Sequence, residues 1–134
     1  TALLAMFLHN AGRPKDAIRE MQRAMRLSPY YSAWFLEELG FAYQDAKQHD
    51  EALVAFAKYL ERESSGVHAA HAHIGRAFAF HALGREDSAR AAVTEAVVAD
   101  PSISATRFGR NSLNSDMEAR ERGLAILRRL GLPD

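Results

Sequence analysis

The sequence contains no cysteine, and no run of apolar residues approaches the roughly 20 that are needed to cross a bilayer. Without cysteine there is neither a disulfide framework nor a thiolate metal site, which is typical of a reducing compartment. Neither sign of charge is in excess, because 17 lysines and arginines balance 17 aspartates and glutamates. A chain without a net positive field is not drawn to nucleic acid or to anionic membranes. We therefore expect a cytoplasmic protein that neither binds nucleic acid nor inserts into a membrane.

Glycine and proline are few, with 8 and 4 copies, and some of them mark the ends of helical patterns. Gly12 and Gly84 follow stripes of apolar residues at helical spacing, and Pro29 and Pro101 stop the stripes that come next. The stripes predict helices over residues 1–11, 14–27, 32–46, 50–62, 68–83 and 86–99. The turn at residues 47–49 has no glycine, so we expect strain or a different helix cap there.

The predicted helices fall into pairs that repeat. The middle pair carries the marker residues Leu36, Leu39, Gly40 and Tyr43 in its first helix and Ala52, Phe56 and Tyr59 in its second. The small residue of the second helix recurs as Ala17, Ala52 and Ala89, at intervals of 35 and 37 residues. One pair of amphipathic helices cannot bury its apolar face alone, so we expect neighbouring pairs to stack on it.

These markers and this interval resemble the tetratricopeptide repeat, whose period is about 34 residues. The resemblance implies an all-α, right-handed solenoid of about three helix-turn-helix repeats closed by a C-terminal capping helix. We expect the array over residues 1–101, with repeats at about 1–31, 32–66 and 67–103, and a linker with the capping helix over 102–134. The first repeat is expected to be truncated at its start, as in a piece of a longer protein.

The pattern changes after Pro101. We expect a short helical turn over residues 103–108, a loop over 110–113 and a last helix over 116–130, capped by Asn114 or Ser115. The apolar positions of this last helix should cover the end of the stack, which would otherwise expose an apolar face to water. Acidic residues offset the arginines of this region, which favours an ordinary solvated face over a nucleic-acid surface.

Small residues stand where helices should cross closely. They are Ala5, Gly40 and Ala77 in the first helices and Ala17, Ala52 and Ala89 in the second. A larger side chain would push the helices apart, so we expect Ala52→Leu to destabilise the fold by about 1–3 kcal/mol.

Three runs carry a more specific resemblance. Residues 27–43 (LSPYYSAWFLEELGFAY), 81–101 (HALGREDSARAAVTEAVVADP) and 124–134 (LAILRRLGLPD) resemble the C-terminal tetratricopeptide region of bacterial class III adenylate/guanylate cyclase-like proteins. The resemblance implies that this chain is a non-catalytic regulatory or scaffolding part, with a nucleotide cyclase domain upstream of it. Lys47 in place of glycine, Ser64 in place of proline and Arg76 in an expected leucine column depart from the repeat pattern.

The first helices of stacked hairpins line a concave face, so the positions next to the core columns predict a groove. The predicted lining is Met6, His9, Trp34, Glu37, Phe41, Gln44, His71, Ile74, Phe78 and His81. Aromatic rings with a few polar groups suit an extended peptide, a helix or another domain of the same chain. In the alternative interpretation, Phe41 and Phe78 are core residues between hairpins. These columns lack the cationic residues that grip acidic chaperone tails in similar repeats, so we expect no binding of such tails.

Other functions receive less support from the sequence. Four histidines, at positions 68, 71, 73 and 81, raise the alternative of a metal site, but His71 and His73 point about 200° apart on a helix. No nucleophile with a base and no phosphate-binding glycine loop is present. We therefore expect a non-catalytic interaction module without a cofactor. The alternative is a dimerisation module that brings two catalytic domains together.

Overall fold

The computed structural model describes residues 2–111 and 117–134. In this part of the chain all regular structure is helical, which confirms the predicted all-α class. The helices are α1 (Ala2–Asn10), α2 (Pro14–Leu27), α3 (Trp34–Asp45), α4 (His49–Arg62), α5 (Val67–Ala82), α6 (Glu86–Ala99), α7 (Ala105–Asn111) and α8 (Met117–Arg129). None of these described helices is both long enough and apolar enough to span a membrane.

The first six helices form three hairpins that stack in chain order. The hairpins are α1 with α2, α3 with α4, and α5 with α6, and α2 and α4 pack on the first helix of the next hairpin. In addition α1 contacts α3, and α3 contacts α5. The first helices therefore form one closely spaced layer, which is the inner layer of a curved helical array.

The three hairpins share one turn geometry. The N–H groups of Arg13, Gln48 and Arg85 each donate to the carbonyl oxygen five residues earlier, at 2.8 Å. This bond closes a Schellman motif, which needs one residue in the left-handed region before it. Gly12 and Gly84 supply that residue with φ of 79° and 76°, and Lys47 supplies it with φ of 65°. The turn without glycine therefore keeps the geometry and places a side chain in a conformation that side chains disfavour.

The second helices also end alike. The N–H groups of Ser28, Glu63 and Asp100 donate to the carbonyl oxygen four residues earlier, and all three residues then adopt extended backbone. Proline follows the first and the third of these positions, whereas Ser64 follows the second. The serine therefore leaves the exit from α4 unchanged.

Phe56 of α4 is the central side chain of the stack. It is fully buried and lies between Gly40 of α3 and Gly75 of α5. A Cβ atom at Gly40 would lie 2.6 Å from the ring of Phe56, and a Cβ at Gly75 would lie 2.4 Å from it. Two glycines on successive first helices therefore make room for one ring. The small residues of the other crossings are also buried, namely Ala5, Ala17, Ala52, Ala77 and Ala89.

The C-terminal segment covers the end of the third hairpin. Leu124 and Leu127 of α8 are buried in one core with Ile74 and Val93 of that hairpin. Gly123 of α8 lies opposite the ring of Phe78 on α5. The covering role expected of Leu124, Leu127 and Leu130 is thus present in the structure, whereas Met117, which was expected to share it, is 70% exposed at the start of α8.

The preceding loop was predicted incorrectly, because Arg110 and Asn111 belong to α7. Ser104 caps this helix, since its Oγ accepts a hydrogen bond of 3.1 Å from the N–H of Arg107 and its carbonyl oxygen accepts one from the N–H of Phe108. The proposed caps Asn114 and Ser115 and the remainder of the predicted loop lie outside the described residues.

Candidate functional site

The inner face of α3 carries two acceptors without donors. Glu37 and Gln44 lie seven residues apart, and therefore on one side of the helix. In the described part of the chain, Glu37 Oε2 and Gln44 Oε1 are buried and have no hydrogen-bond partner. A buried acceptor without a donor costs about 1–3 kcal/mol. This face therefore gains stability from any ligand that brings N–H groups to it.

A cavity of about 390 Å³ opens at the start of α3, between the second hairpin (α3 with α4, hairpin 2) and the third (α5 with α6, hairpin 3). We call it the inter-hairpin cavity. Its lining comes from α3, the end of α4, the connecting loop and the start of α5, and consists of Ser32, Ala33, Trp34, Glu37, Tyr59, Glu63, Ser65, Gly66, Val67 and His68. Two residues of the predicted groove, Trp34 and Glu37, thus share one cavity.

Negative charge is concentrated in this cavity. Burial raises the pKa of Glu37, and although His68 opposes that shift, the neighbouring carboxylate of Glu38 adds to it. An imidazole nitrogen of His68 lies 3.4 Å from Glu37 Oε2. Burial also raises the pKa of the Tyr59 hydroxyl, and the carboxylates of Glu37 and Glu63 raise it further. The hydroxyl of Tyr59 therefore lies in the field of both cavity carboxylates.

His9, predicted to line the groove, instead links the first two hairpins. Its Nδ1 lies 2.7 Å from Glu38 Oε1, and its Nε2 contacts Asp45 Oδ2. Only the imidazolium ion carries a proton on both nitrogens, so this arrangement selects the charged ring. Burial lowers the pKa of His9, but the hydrogen bonds that its ring donates to Asp45 and Glu38 outweigh the burial and raise the pKa to about 9. His9 is thus half-buried in an ion-pair cluster between α1 and α3.

The aromatic part of the predicted groove is largely used in packing. Phe41 meets the ring of Phe56 edge-on at 4.9 Å between centroids, and Phe78 lies beneath α8. Ile74 has no exposed surface because it belongs to the core shared with the C-terminal segment. Ile74 therefore cannot contact a ligand in this structure. The two phenylalanines are only half-buried, and their packing matches the alternative that placed them between hairpins.

The remaining predicted residues are half-buried along the inner layer. Met6 lies on α1, and His81 contacts Glu86 across the third turn. His71 meets the ring of Phe108 at 5.4 Å, whereas His73 lies 3.3 Å from Glu95 of α6. Burial lowers the pKa of both His71 and His73, helped by His68 in the first case and by Arg76 in the second. Among the described residues no three or more histidine and carboxylate side chains are grouped as metal ligands would be.

Several residues of the site could not be found from repeat columns. Tyr59 is a core marker whose hydroxyl reaches the cavity, and Glu63 and His68 flank a connecting loop. The groove prediction used only positions on the first helix of each hairpin, so it could not include residues of second helices or loops. Tyr59 and Glu63 before the loop at 64–66, and His68 after it, were the available signal.

The fold is an array of stacked helical hairpins with a tetratricopeptide-like arrangement, and its inner layer carries two acceptors that have no partner among the described residues. No protein-family model matches the chain, and no curated protein matches it. Among solved structures it is similar to the Yersinia enterocolitica type III secretion chaperone SycD in complex with a peptide of the translocator YopD, at 18% sequence identity and a TM-score of 0.71. The alignment covers 96% of this chain and 88% of that one.

Proposed function

We propose that this chain is a non-catalytic module that binds a peptide, or a segment of another domain, along its inner helices. The observation that carries the proposal is the pair of buried, unpartnered oxygens on α3, Glu37 Oε2 and Gln44 Oε1. An extended peptide supplies a row of N–H donors, which is what these oxygens lack. The similar fold of SycD, a chaperone whose structure holds a peptide, adds support.

The ligand surface is proposed to centre on hairpin 2 and the inter-hairpin cavity. Trp34, Glu37, Gln44 and His71 remain partly exposed on inner helices, whereas Ile74 is excluded by burial. Met6, Phe41, Phe78 and His81 contribute the edges of their half-buried side chains. His9 shapes the surface through its ion pairs with α3.

Selection from a random-peptide phage library against the immobilised protein tests this function. We expect enriched peptides to bind in solution and to change the fluorescence of Trp34, the one tryptophan in the chain. Gln44→Leu removes the acceptor and should weaken binding about tenfold. Lys58→Ala, on the exposed face of α4, is the matched control and should bind as the parent does. Failure to enrich any peptide over an unrelated helical protein would contradict the proposal.

We further propose that the chain is the C-terminal regulatory part of a bacterial, cytoplasmic protein of class III cyclase type. The support is the likeness of residues 27–43, 81–101 and 124–134 to such proteins. The last of these runs also has a structural role, because its residues Leu124, Leu127, Leu130 and Leu132 are all buried. Reading the gene upstream of Thr1 tests the assignment, and an in-frame domain of a different catalytic class would contradict it.

Dimerisation is the second candidate function. Leu27, the last residue of α2, is 75% exposed, and Tyr30, three residues later in the loop before α3, is 97% exposed. Apolar side chains that stay exposed together are candidates for contact with a second copy. Light scattering during size exclusion should then show a dimer that Tyr30→Ser with Leu27→Ser converts to a monomer. A monomer at every concentration of the parent protein would exclude this role.

A further inference from the structure

The inter-hairpin cavity has two carboxylates and no cationic side chain of its own beyond an imidazole. Glu37 comes from α3 and Glu63 from the end of α4, and both act on the hydroxyl of Tyr59. In the described part of the chain neither carboxylate pairs with a lysine or an arginine. Arg62, next to Glu63, instead donates at 2.9 Å to the carbonyl oxygen of Tyr31 and lies over the ring of Tyr31.

The single neighbouring imidazole does not complete the site. His68 is 68% exposed, and its Nδ1 lies 3.4 Å from Glu37 Oε2, beyond the usual length of a charge-assisted hydrogen bond. Glu37 Oε2 is buried and still lacks a hydrogen-bond partner. The cavity therefore holds a buried acceptor whose one neighbouring donor, among the described residues, is an exposed imidazole at 3.4 Å.

An aromatic ring and an aliphatic wall accompany the charges. Trp34 is 39% exposed in the cavity and is held edge-on against Phe35, with ring centroids 4.6 Å apart. Val67, at the start of α5, is 46% exposed. An indole attracts cations, and an apolar wall accommodates the methylene groups of a long basic side chain.

We propose that the inter-hairpin cavity binds the side chain of an arginine, which anchors the bound peptide. The inference rests on the proposed peptide-binding function. A guanidinium is planar, stacks on aromatic rings and presents several N–H donors, so it can serve Glu37, Glu63 and Trp34 together. Lysine offers a compact, more strongly hydrated charge and should bind more weakly. The ligand is thus basic at the position that enters the cavity.

The probe is acetyl-arginine amide, titrated into the intact chain while the indole N–H signal of Trp34 is followed by NMR. Because the chain has one tryptophan, the signal reports on this cavity alone. We expect a saturable shift with the arginine probe, a weaker response with acetyl-lysine amide and none with acetyl-citrulline amide, which keeps the shape without the charge. The absence of a saturable shift with the arginine probe, or an equal shift with citrulline, would overturn the proposal.

Charge-neutral variants identify the carboxylates. Glu37→Gln should weaken the arginine probe by about tenfold, as when one ion of a partly buried pair is lost. Glu63→Gln should weaken it by a smaller factor, because Glu63 is exposed. Glu61→Gln removes the same charge two residues before Glu63 on the exposed face of α4 and should bind as the parent does. Circular dichroism spectra and melting curves confirm that each variant is folded. Equal affinity of all three variants would overturn the assignment.

The two proposals fail in different ways. If library peptides bind with dependence on Gln44 but without arginine, and Glu37→Gln with Glu63→Gln has no effect on them, the arginine anchor is wrong and the peptide-binding function stands. If acetyl-arginine amide saturates the Trp34 signal while no library peptide binds, the cavity has the inferred chemistry and the peptide-binding function is wrong.

Discussion

One hairpin turn keeps the shared geometry without a glycine. Lys47 holds φ of 65° where the other hairpins have glycine, which is strained for a residue with a Cβ. We expect Lys47→Gly to raise the free energy of unfolding by about 1 kcal/mol, measured by urea denaturation. Lys47 is exposed, so the change removes no packing.

Gly84 provides the reverse experiment at the equivalent position. A Cβ at Gly84 meets no atom within 4 Å, so Gly84→Ala introduces the backbone strain without a steric clash. We expect it to lower stability by about 1 kcal/mol. The strain at this turn could be predicted from the sequence alone, because residues 47–49 contain no glycine whereas the other two turns do. If both substitutions changed stability in the same direction, backbone strain would not be their cause.

Gly75 is a residue whose importance only the structure reveals. A Cβ there would lie 2.4 Å from the buried ring of Phe56, which Gly40 confines on its other side. We expect Gly75→Ala to lower the free energy of unfolding by about 1–3 kcal/mol, because a fully packed ring cannot retreat. Gly123→Ala is the control, since its Cβ would lie 3.5 Å from Phe78 in ordinary contact. It should gain about 0.5–1 kcal/mol from helix propensity, and equal losses in thermal melts of both variants would refute the steric explanation.

Between elements, the cluster of His9 with Glu38 and Asp45 makes stability depend on pH. The pKa of His9 is raised from 6.5 to about 9 in the folded chain, so the folded state binds the proton more tightly than the unfolded state. The resulting stabilisation is fully present below pH 6.5 and is lost as the pH rises through about 9. It amounts to at most about 3 kcal/mol, reduced by the exposure of Asp45 to solvent.

Urea denaturation at several values of pH tests this link between α1 and α3. The stability of the parent protein should fall across the window from pH 6.5 to about 9, while that of His9→Gln should stay level there. The pKa values of His71 and His73 are lowered in the folded chain, so these residues destabilise the fold only below pH 6.5, where the unfolded state binds protons more tightly. They therefore do not affect stability between pH 6.5 and about 9. Parallel pH profiles for the two proteins would show that the cluster does not stabilise the fold.

Elements were easier to predict than the contacts between them. The spacing of apolar residues and the positions of glycine and proline predicted the observed bounds of α2 and α6, because these signals depend on only a few neighbouring residues. The end of α7 was missed because helical propensity around residues 109–111 is weak and the cap at Ser104 outweighs it. The link from His9 to Glu38 and Asp45 joins residues 29 and 36 positions apart, and spacing within one repeat carries no information about it.

Across the whole molecule, the position of the candidate site depends on which repeat the C-terminal segment covers. Repeat columns predicted equivalent roles for Glu37 and Ile74, but the structure separates them. Ile74 is buried with Leu124 and Leu127 of the C-terminal segment, whereas Glu37 borders an open cavity. A repeat rule cannot predict this difference because it depends on what packs against each copy. The terminal cover therefore removes Ile74 from the inner surface, whereas Glu37 stays on it.

The same cover should determine how the array unfolds. Leu127 is fully buried at the junction of α8 with the third hairpin, and Leu127→Ala should cost about 2–5 kcal/mol there. In a stacked array each hairpin contacts only its neighbours, so the loss should act first on adjacent elements. Amide hydrogen exchange should show faster exchange in α5 and α6 of the variant, with α1 and α2 little changed.

Met21→Ala supplies the matched control at the opposite end. Met21 is fully buried with Ala5 and Ile18 in a core that the first hairpin shares with the second, apart from the core that holds Leu127. Its loss should accelerate exchange in α1 and α2 and leave α6 protected, which mirrors the effect of Leu127→Ala. Uniform acceleration along the chain in both variants would mean that the three hairpins unfold as one cooperative unit. In that case Phe56, which joins the second hairpin to the third between two glycines, would couple the array more strongly than nearest-neighbour stacking implies.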